Sequence, residues 1–207
     1  MYCKYIKRIL DVILALILFP FSVLLFLFTA PAIVLDDPGP VFYRGKRLGK
    51  RGRIFKMYKF RSMKVGAPDL RNEDGTTFNS EEDVRVTKIG KILRKTSLDE
   101  VPQILNILKG EMSFIGPRPD LPDAVHLYTR KTRQKLKVLP GITGYSQAYY
   151  RNASTLEQRF SGDVYYAQNL SFFLDLRIMF QTIKVVFMKE NVYRNKGETN
   201  ETDKRCV

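Results

Sequence analysis

The chain has little of what most soluble catalysts rely on. His126 is its only histidine, so an imidazole-based metal site or a serine–histidine triad has almost no material to work with. Its two cysteines, Cys3 and Cys206, stand at opposite ends of 207 residues. That separation argues against a disulfide framework or a cysteine-ligated metal and fits a reducing compartment. Acid is also scarce, with 21 Asp+Glu against 35 Lys+Arg and a formal net charge of +14. A surplus of that size turns away cationic partners and points to nucleic acid, phosphorylated substrates or an acidic membrane face. Any chemistry must rest on carboxylates, arginine and lysine. The length suits one ordinary domain with a real core.

What the chain does have is a long apolar run. Residues 12–35 carry no charge, and about 20 such residues suffice to cross a bilayer as a helix. A cleaved signal peptide is one reading, with Lys4, Lys7 and Arg8 as its basic region and Ala30-Pro31-Ala32 as a cleavage site. The run exceeds the roughly 7–15 apolar residues of such a peptide, and Pro31 suits cleavage badly. A single spanning helix is the second reading. Its difficulty is charge symmetry: Lys4, Lys7 and Arg8 precede the run, and ten Lys and Arg with no acid fill residues 44–64. Basic flanks stay cytosolic, so both ends favour the same side. A re-entrant helix resolves the conflict. Pro20 breaks a backbone hydrogen bond and bends the helix, while Ser22 offers a hydroxyl to a freed carbonyl in the apolar medium. Asp11 would then sit at the interface beside Arg8.

Beyond the turn Asp36-Asp37-Pro38-Gly39-Pro40, the alternation at 41–43 and 54–60 predicts two short strands around a basic bend at 45–52. Residues 66–83 are rich in acid, Asn and Gly and read as a loop. Helices are expected at 88–95 and 98–108, the second ended by Lys109-Gly110. An extended, proline-stiffened segment covers 114–119, a polar helix 121–137, and Pro140-Gly141-Ile142-Thr143-Gly144 a turn. Phe172, Leu176, Phe180, Ile183 and Phe187 recur at helical spacing. That stripe faces either a protein core or the headgroup plane of a membrane. The polar segment 191–207 reads as a flexible tail. The fold class is α+β and predominantly helical, with anchor 1–36, a catalytic unit 37–190 carrying interfacial helices and a short β-hairpin, and the tail.

Thr96-Ser97-Leu98-Asp99-Glu100 carries two meanings. Ser97 followed three residues later by Glu100 is a capping box, and acids in a first turn suit the helix dipole. Alternatively, two adjacent carboxylates offer an aspartate nucleophile for stepwise phosphoryl transfer and ligands for a divalent cation. Neighbours on a helix diverge by about 100°, which suits two roles better than one shared proton. Arg118, between Pro117 and Pro119, reads as an exposed turn residue or as a guanidinium preorganised for bidentate phosphate binding. The basic stretch 44–64 suits anionic lipid, and its interleaved aromatics also suit single-stranded nucleic acid. A membrane-surface binding protein for nucleic acid or lipid is therefore the alternative to an enzyme.

Taken in order, these segments resemble one family, the small monotopic phosphoglycosyl transferases or bacterial sugar transferases. The match runs through Lys7-Arg8 with Asp11, Asp37-Pro38-Gly39-Pro40-Val41-Phe42, residues 55–63 and residues 88–103. It continues through Asn106, residues 108–113, Gly116-Pro117-Arg118-Pro119 and Pro140-Gly141-Ile142-Thr143-Gly144. The resemblance implies transfer of a phosphosugar from a UDP-sugar to polyprenol phosphate at the cytosolic face of a bacterial inner membrane, with release of UMP. It maps the catalytic acid pair onto Asp99 and Glu100, which would also hold Mg²⁺. The phosphate-binding arginine maps onto Arg118, with Arg94, Lys59 and Arg61 as further phosphate ligands. Arg151 is a candidate for the nucleotide end, and Asp163 for supporting an arginine. Membrane lipid is an expected partner and nucleic acid is not. Two departures stand out. The family's bend is a Ser-Pro pair, whereas here Phe19 precedes Pro20 and Ser22 follows; and Tyr145 stands where many relatives carry Trp.

Overall fold

The computed structural model describes residues 2–71, 78, 80, 82–150 and 155–188. Helix α1 runs unbroken over Lys7–Asp36, 30 residues with Pro20 and Pro31 inside it, and is about 45 Å long at ~1.5 Å per residue. Ser22 Oγ donates to the Phe19 carbonyl at 2.7 Å and Thr29 Oγ1 to that of Leu25 at 2.9 Å. Hydroxyls thus supplement the backbone ladder beside each proline. Only Asp11, Ala15 and Ile33 of this helix are buried. Phe21, Phe28 and Leu35 are 67%, 72% and 85% exposed, so the apolar run is not a core helix.

Both ends of α1 are fastened to the rest of the protein. Near its start, Lys7 pairs with Asp175 at 2.7 Å. Asp175 also accepts from the hydroxyls of Tyr2 and Tyr166, at 2.6 and 2.7 Å. Arg8 donates to the carbonyls of Ile107 and Leu108, closing the C-terminus of α3 (Ile104–Lys109) with a cation, as the helix dipole favours. Asp11, expected at an interface, is 6% exposed. It accepts from Ser113 Oγ and Phe114 N, both at 3.1 Å. At the other end, Asp36 accepts from Ile89 N at 2.8 Å, and Asp37 is clasped by Arg61 through side chain and carbonyl.

Strands β1 (Phe42–Leu48) and β2 (Ile54–Phe60) form an antiparallel hairpin. The first strand is longer than its alternation suggested, because Gly45 and Lys46 pair within the ladder and the turn begins only at Gly49. Phe26 of α1 stacks on Phe42 and Phe60, with ring centroids at 5.4 and 6.4 Å. Helix α2 (Lys88–Lys95) forms as expected, capped by Thr87, whose hydroxyl accepts from Gly90 N. Gly110, left-handed, ends α3 as the sequence indicated.

Two expectations change character. The segment Pro140–Gly144 is no simple turn: β4 (Gly141–Thr143) lies parallel to β3 (Ser113–Ile115). Its glycines answer a close backbone approach. A Cβ on Gly141 would stand 2.1 Å from Gly116 N, and one on Gly144 would stand 2.0 Å from Gly116 O. Residues 121–137 form two short 3-10 turns, Pro122–Leu127 and Thr132–Lys137, instead of one helix. Side-chain bonds from Tyr128 and Lys135 to Asp120 take the place of an α-helical ladder there.

Helices α4 (Tyr145–Tyr149), α5 (Leu156–Asn169) and α6 (Phe172–Met188) complete the chain. A Thr155–Gln158 capping box opens α5. On α6 the face turned inward is Leu174, Asp175, Ile178 and Val185. The stripe singled out by spacing lies largely outside, with Phe172, Phe180 and Ile183 at 46%, 61% and 47% exposure. The helix is apolar on two sides, and the outer one is largely exposed, although Phe172 stands edge-on against the ring of Tyr2. The side chain of Phe187 and the tail 191–207 lie outside those residues, as does part of the loop at 66–83.

Candidate active site

Ser97 sets the geometry of the acid pair. Its backbone is left-handed, at φ 58° and ψ 16°, and its side chain makes no cap hydrogen bond. The expected capping box is therefore absent. The following residues Leu98–Gln103 wind as a 3-10 helix, with Pro102 inside, before α3 begins at Ile104. A non-glycine residue in this conformation costs roughly 1–2 kcal/mol. The turn leaves the Glu100 side chain unused by its own backbone.

That side chain meets Lys59 of β2 instead. Lys59 Nζ lies 2.6 Å from Glu100 Oε1 and 3.6 Å from Asp99 Oδ2. The lysine is placed by Asn106, fully buried, which accepts from Tyr58 N and donates to the Lys56 carbonyl. Strand β2 and helix α3 are thereby locked in register, and with them Lys59 and the acid pair. Burial pushes the Asp99 carboxyl above its ordinary range; Glu100 adds to the rise, while Lys59 and Arg94 oppose it without prevailing. Burial would raise Glu100 too, but Lys59, Arg118 and a hydrogen bond from Gln103 outweigh it and hold that carboxyl low. Divergent environments for neighbouring carboxyls are a common arrangement where two acids have different tasks.

Glu100 and Lys59 face an open cleft of about 290 Å³, lined also by Gln103, Arg47, Arg118 and Arg159, while Asp99 is buried directly beside them. Arg118 is exposed and lies near enough to Glu100 to lower its pKa. Arg94 stands behind the acids, its Nε donating to Ser62 Oγ at 2.9 Å. Arg61 does not reach the cleft. It is 6% exposed and committed to Asp37. Asp163 supports a cation, though a lysine and not an arginine: Lys135 Nζ lies 2.5 Å from it. Arg151 falls outside the described residues. Sequence reasoning missed Arg47, Asp120, Lys135 and Arg159. Only Asp120 had a local signal, its place directly after Gly-Pro-Arg-Pro.

Among the described residues, no three His, Cys, Asp or Glu side chains converge as a metal cluster. Asp99 and Glu100 still offer two hard oxygen donors to Mg²⁺ at the cleft edge, and such ions complete their shell with substrate phosphate and water. A second cavity of about 170 Å³ is apolar. It lies between Phe19, Ser22, Val23 and Phe26 of α1 and Val101, Pro102, Ile104 and Leu105, which follow the acid pair directly.

An acid, a lysine and arginines around a cleft suit the handling of phosphorylated groups, beside a helix long and apolar enough to cross a membrane. Comparison with known proteins makes the class specific. A family model described as bacterial sugar transferase matches residues 2–189, and the chain belongs to that family of phosphoglycosyl transferases. It is 41% identical over 196 residues to an uncharacterized sugar transferase, EpsL, of Bacillus subtilis, covering 95% of this chain and 94% of that one. It is 39% identical over 188 residues to the UDP-N-acetylgalactosamine-undecaprenyl-phosphate N-acetylgalactosaminephosphotransferase of Aeromonas hydrophila, covering 88% of this chain and 44% of that one. It is 33% identical over 207 residues to the undecaprenyl-phosphate galactose phosphotransferase of Salmonella typhimurium, covering 92% and 42%. The chain thus spans nearly all of the first relative and less than half of the other two.

Proposed function

We propose that the protein transfers a sugar 1-phosphate from a UDP-sugar to polyprenyl phosphate, releasing UMP, as an early membrane step in building a bacterial glycoconjugate. The observation that carries this reading is Lys59 paired with the carboxylates Asp99 and Glu100, with Lys59 and Glu100 lining an arginine-rich cleft. The relatives' names supply the chemistry, since two of them act on undecaprenyl phosphate.

An Asp99 oxygen attacks the sugar-bearing phosphorus, and the bond to the UMP oxygen breaks, leaving the phosphosugar on the carboxylate. A phosphate oxygen of the acceptor lipid then attacks the same phosphorus and frees Asp99. Splitting the transfer in this way is the advantage of covalent catalysis. Lys59 and Arg118 bind phosphoryl oxygens, which is most of what phosphoryl transfer requires. Glu100 assists the incoming phosphate as a base or holds the metal. Asp99 and Glu100 would hold Mg²⁺, which would supply charge neutralisation for the diphosphate.

The acceptor approaches along the bilayer, its isoprenoid tail in the apolar cavity beside Val23 and Leu105. Residues 1–36 act as a re-entrant anchor and 37–190 as the catalytic unit, at the cytosolic face of the inner membrane. Two things support that topology: basic residues flank the run on both sides, and both ends of α1 are fastened to the same body of protein. In a Cys206→Ser chain, a membrane-impermeant maleimide should reach Cys3, exposed here, only after the cells are opened. Labelling of intact spheroplasts would exclude the re-entrant path. The transferase reading is tested by screening UDP-sugars for UMP release with undecaprenyl phosphate; silence across the panel would refute it.

A further inference from the structure

Away from the acid pair, the most heavily buried cation among the described residues lies against the far wall of the cleft. Lys135 is 3% exposed. Its Nζ sits 2.7 Å from Asp120 Oδ2 and 2.5 Å from Asp163 Oδ2. The rings of Phe160 and Tyr128 flank the ammonium at 5.1 and 5.7 Å to their centroids. Asp120 Oδ2 also accepts from the Tyr128 hydroxyl at 2.5 Å, and Asp163 Oδ1 accepts from Ser146 Oγ at 3.0 Å. Burial alone would lower the Lys135 pKa, but Asp163 and Asp120 reverse this and raise it, so the ammonium stays charged. Buried ion pairs are weak sources of stability compared with apolar packing, and their best-attested use is to specify an arrangement.

The arrangement specified here is local. Arg118 stands two residues before Asp120, with proline on either side. On its N-terminal side, Gly116 N donates to the Thr143 carbonyl at 2.8 Å, and Gly141 N to the Pro117 carbonyl at 3.0 Å. On its C-terminal side, Leu48 N donates to the Asp120 carbonyl at 2.9 Å, while Lys135 and Tyr128 hold the Asp120 carboxylate. The guanidinium itself has no hydrogen-bond or ion-pair partner among the described residues. The point from which it reaches into the cleft is therefore set by its backbone, and that backbone is hydrogen-bonded on both sides.

We propose that Lys135 is a positioning residue: with Asp120, Asp163 and Tyr128 it fixes the far wall of the cleft so that Arg118 points at the substrate's phosphates. This rests on the phosphate-binding role given to Arg118 above. Lys135 touches no substrate and acts through Asp120, and Tyr128 adds the second bond to the same carboxylate.

The test is a double-mutant cycle on the full-length, detergent-purified protein, read as affinity for UDP by titration calorimetry. UDP binding needs no turnover, so it is scored separately from the UMP-release assay that tests the transferase reading. Tyr128→Phe removes one hydrogen bond at nearly constant shape and should weaken UDP binding about fivefold. Lys135→Met should weaken it by about tenfold or more. In an Arg118→Ala background, both changes should alter the affinity by less than about twofold. If either change costs as much without Arg118 as with it, the cluster is merely structural and the proposal fails. Should Lys135→Met not fold, the Tyr128→Phe cycle decides alone, with thermal melting confirming that the fold is intact. Wild-type protein that ignores UDP would also overturn the inference.

Discussion

Two lysines in this protein each face two carboxylates, and the pairs behave differently. Lys135 is saturated: both contacts are 2.7 Å or shorter, and the acids come from different parts of the chain. Lys59 is not. It holds Glu100 at 2.6 Å but leaves Asp99 at 3.6 Å, and both acids belong to one strained turn at the edge of an open cleft. In each cluster one carboxyl is raised and the other lowered: Asp99 and Asp163 upward, Glu100 and Asp120 downward. The same composition thus serves two ends. A closed cluster cannot exchange partners and fixes backbone; a slack one can release a carboxylate to a substrate.

The largest effect should come from breaking the slack cluster at Asp99, the proposed nucleophile. Asp99→Asn should lower turnover by about 10³-fold or more and abolish any phosphosugar trapped on the protein from radiolabelled donor. Stability should move the other way. Burial raises the folded-state pKa of Asp99, so its contribution is present at low pH and lost as pH rises through that value. The variant's advantage in thermal melting should therefore grow with pH. Full turnover by Asp99→Asn would end the covalent scheme.

Next in size is Lys59→Met, expected to cost about 10²-fold in kcat/KM. Attack requires ionised Asp99, and its raised pKa places the acid limb of the pH–rate profile above the usual carboxylate range. Lys59 lowers that pKa, so its loss should push the limb to still higher pH. Lys135→Met should leave the limb where it is. A common shift in both variants would erase the distinction drawn between the clusters.

Several of these features were legible in the sequence, and the reasons differ for those that were not. Helix α2 and the Gly110 stop follow from local spacing and backbone preference, and both appear as read. The acids and Arg118 were singled out through motifs, and Glu100 and Arg118 line the same cleft. Lys135 was not. Its partners are 15 and 28 residues away, and nothing local marks a lysine that will be buried. Ser97–Glu100 misled because a capping box and this strained turn share the same letters. On α6 the spacing identified an apolar stripe, yet periodicity says nothing about which medium the stripe meets. The glycines of Pro140–Gly144 suggested a turn where they serve close contact between parallel strands.

A smaller effect should separate donor from acceptor. Val23 lines the apolar cavity and is 43% exposed, so Val23→Thr disturbs little packing. A hydroxyl facing an isoprenoid tail costs about 1 kcal/mol, and the KM for polyprenyl phosphate should rise about fivefold while the KM for the UDP-sugar stays put. Equal changes in both would show that the cavity has no special claim on the lipid.

The smallest expected effect concerns the strain that keeps the slack cluster slack. Ser97 holds a left-handed backbone without a hydrogen bond from its own side chain to repay it. Glycine adopts that conformation freely but brings more disorder to the unfolded chain, by about 0.4–1 kcal/mol. Against a left-handed cost of roughly 1–2 kcal/mol, Ser97→Gly should still raise stability by about 0.5 kcal/mol, visible as a slightly later thermal transition. The same change loosens the turn that aims Asp99 and Glu100 at Lys59, so turnover should drop about threefold with the KM for UDP-sugar unchanged. Pairing the two readouts is what matters. A gain in stability with a loss in turnover means the turn's strain is spent on holding the acids in place; a gain in both would mean that Ser97 is only an imperfect fit to its backbone, and that the slackness of Lys59 and Asp99 owes nothing to the turn beneath them.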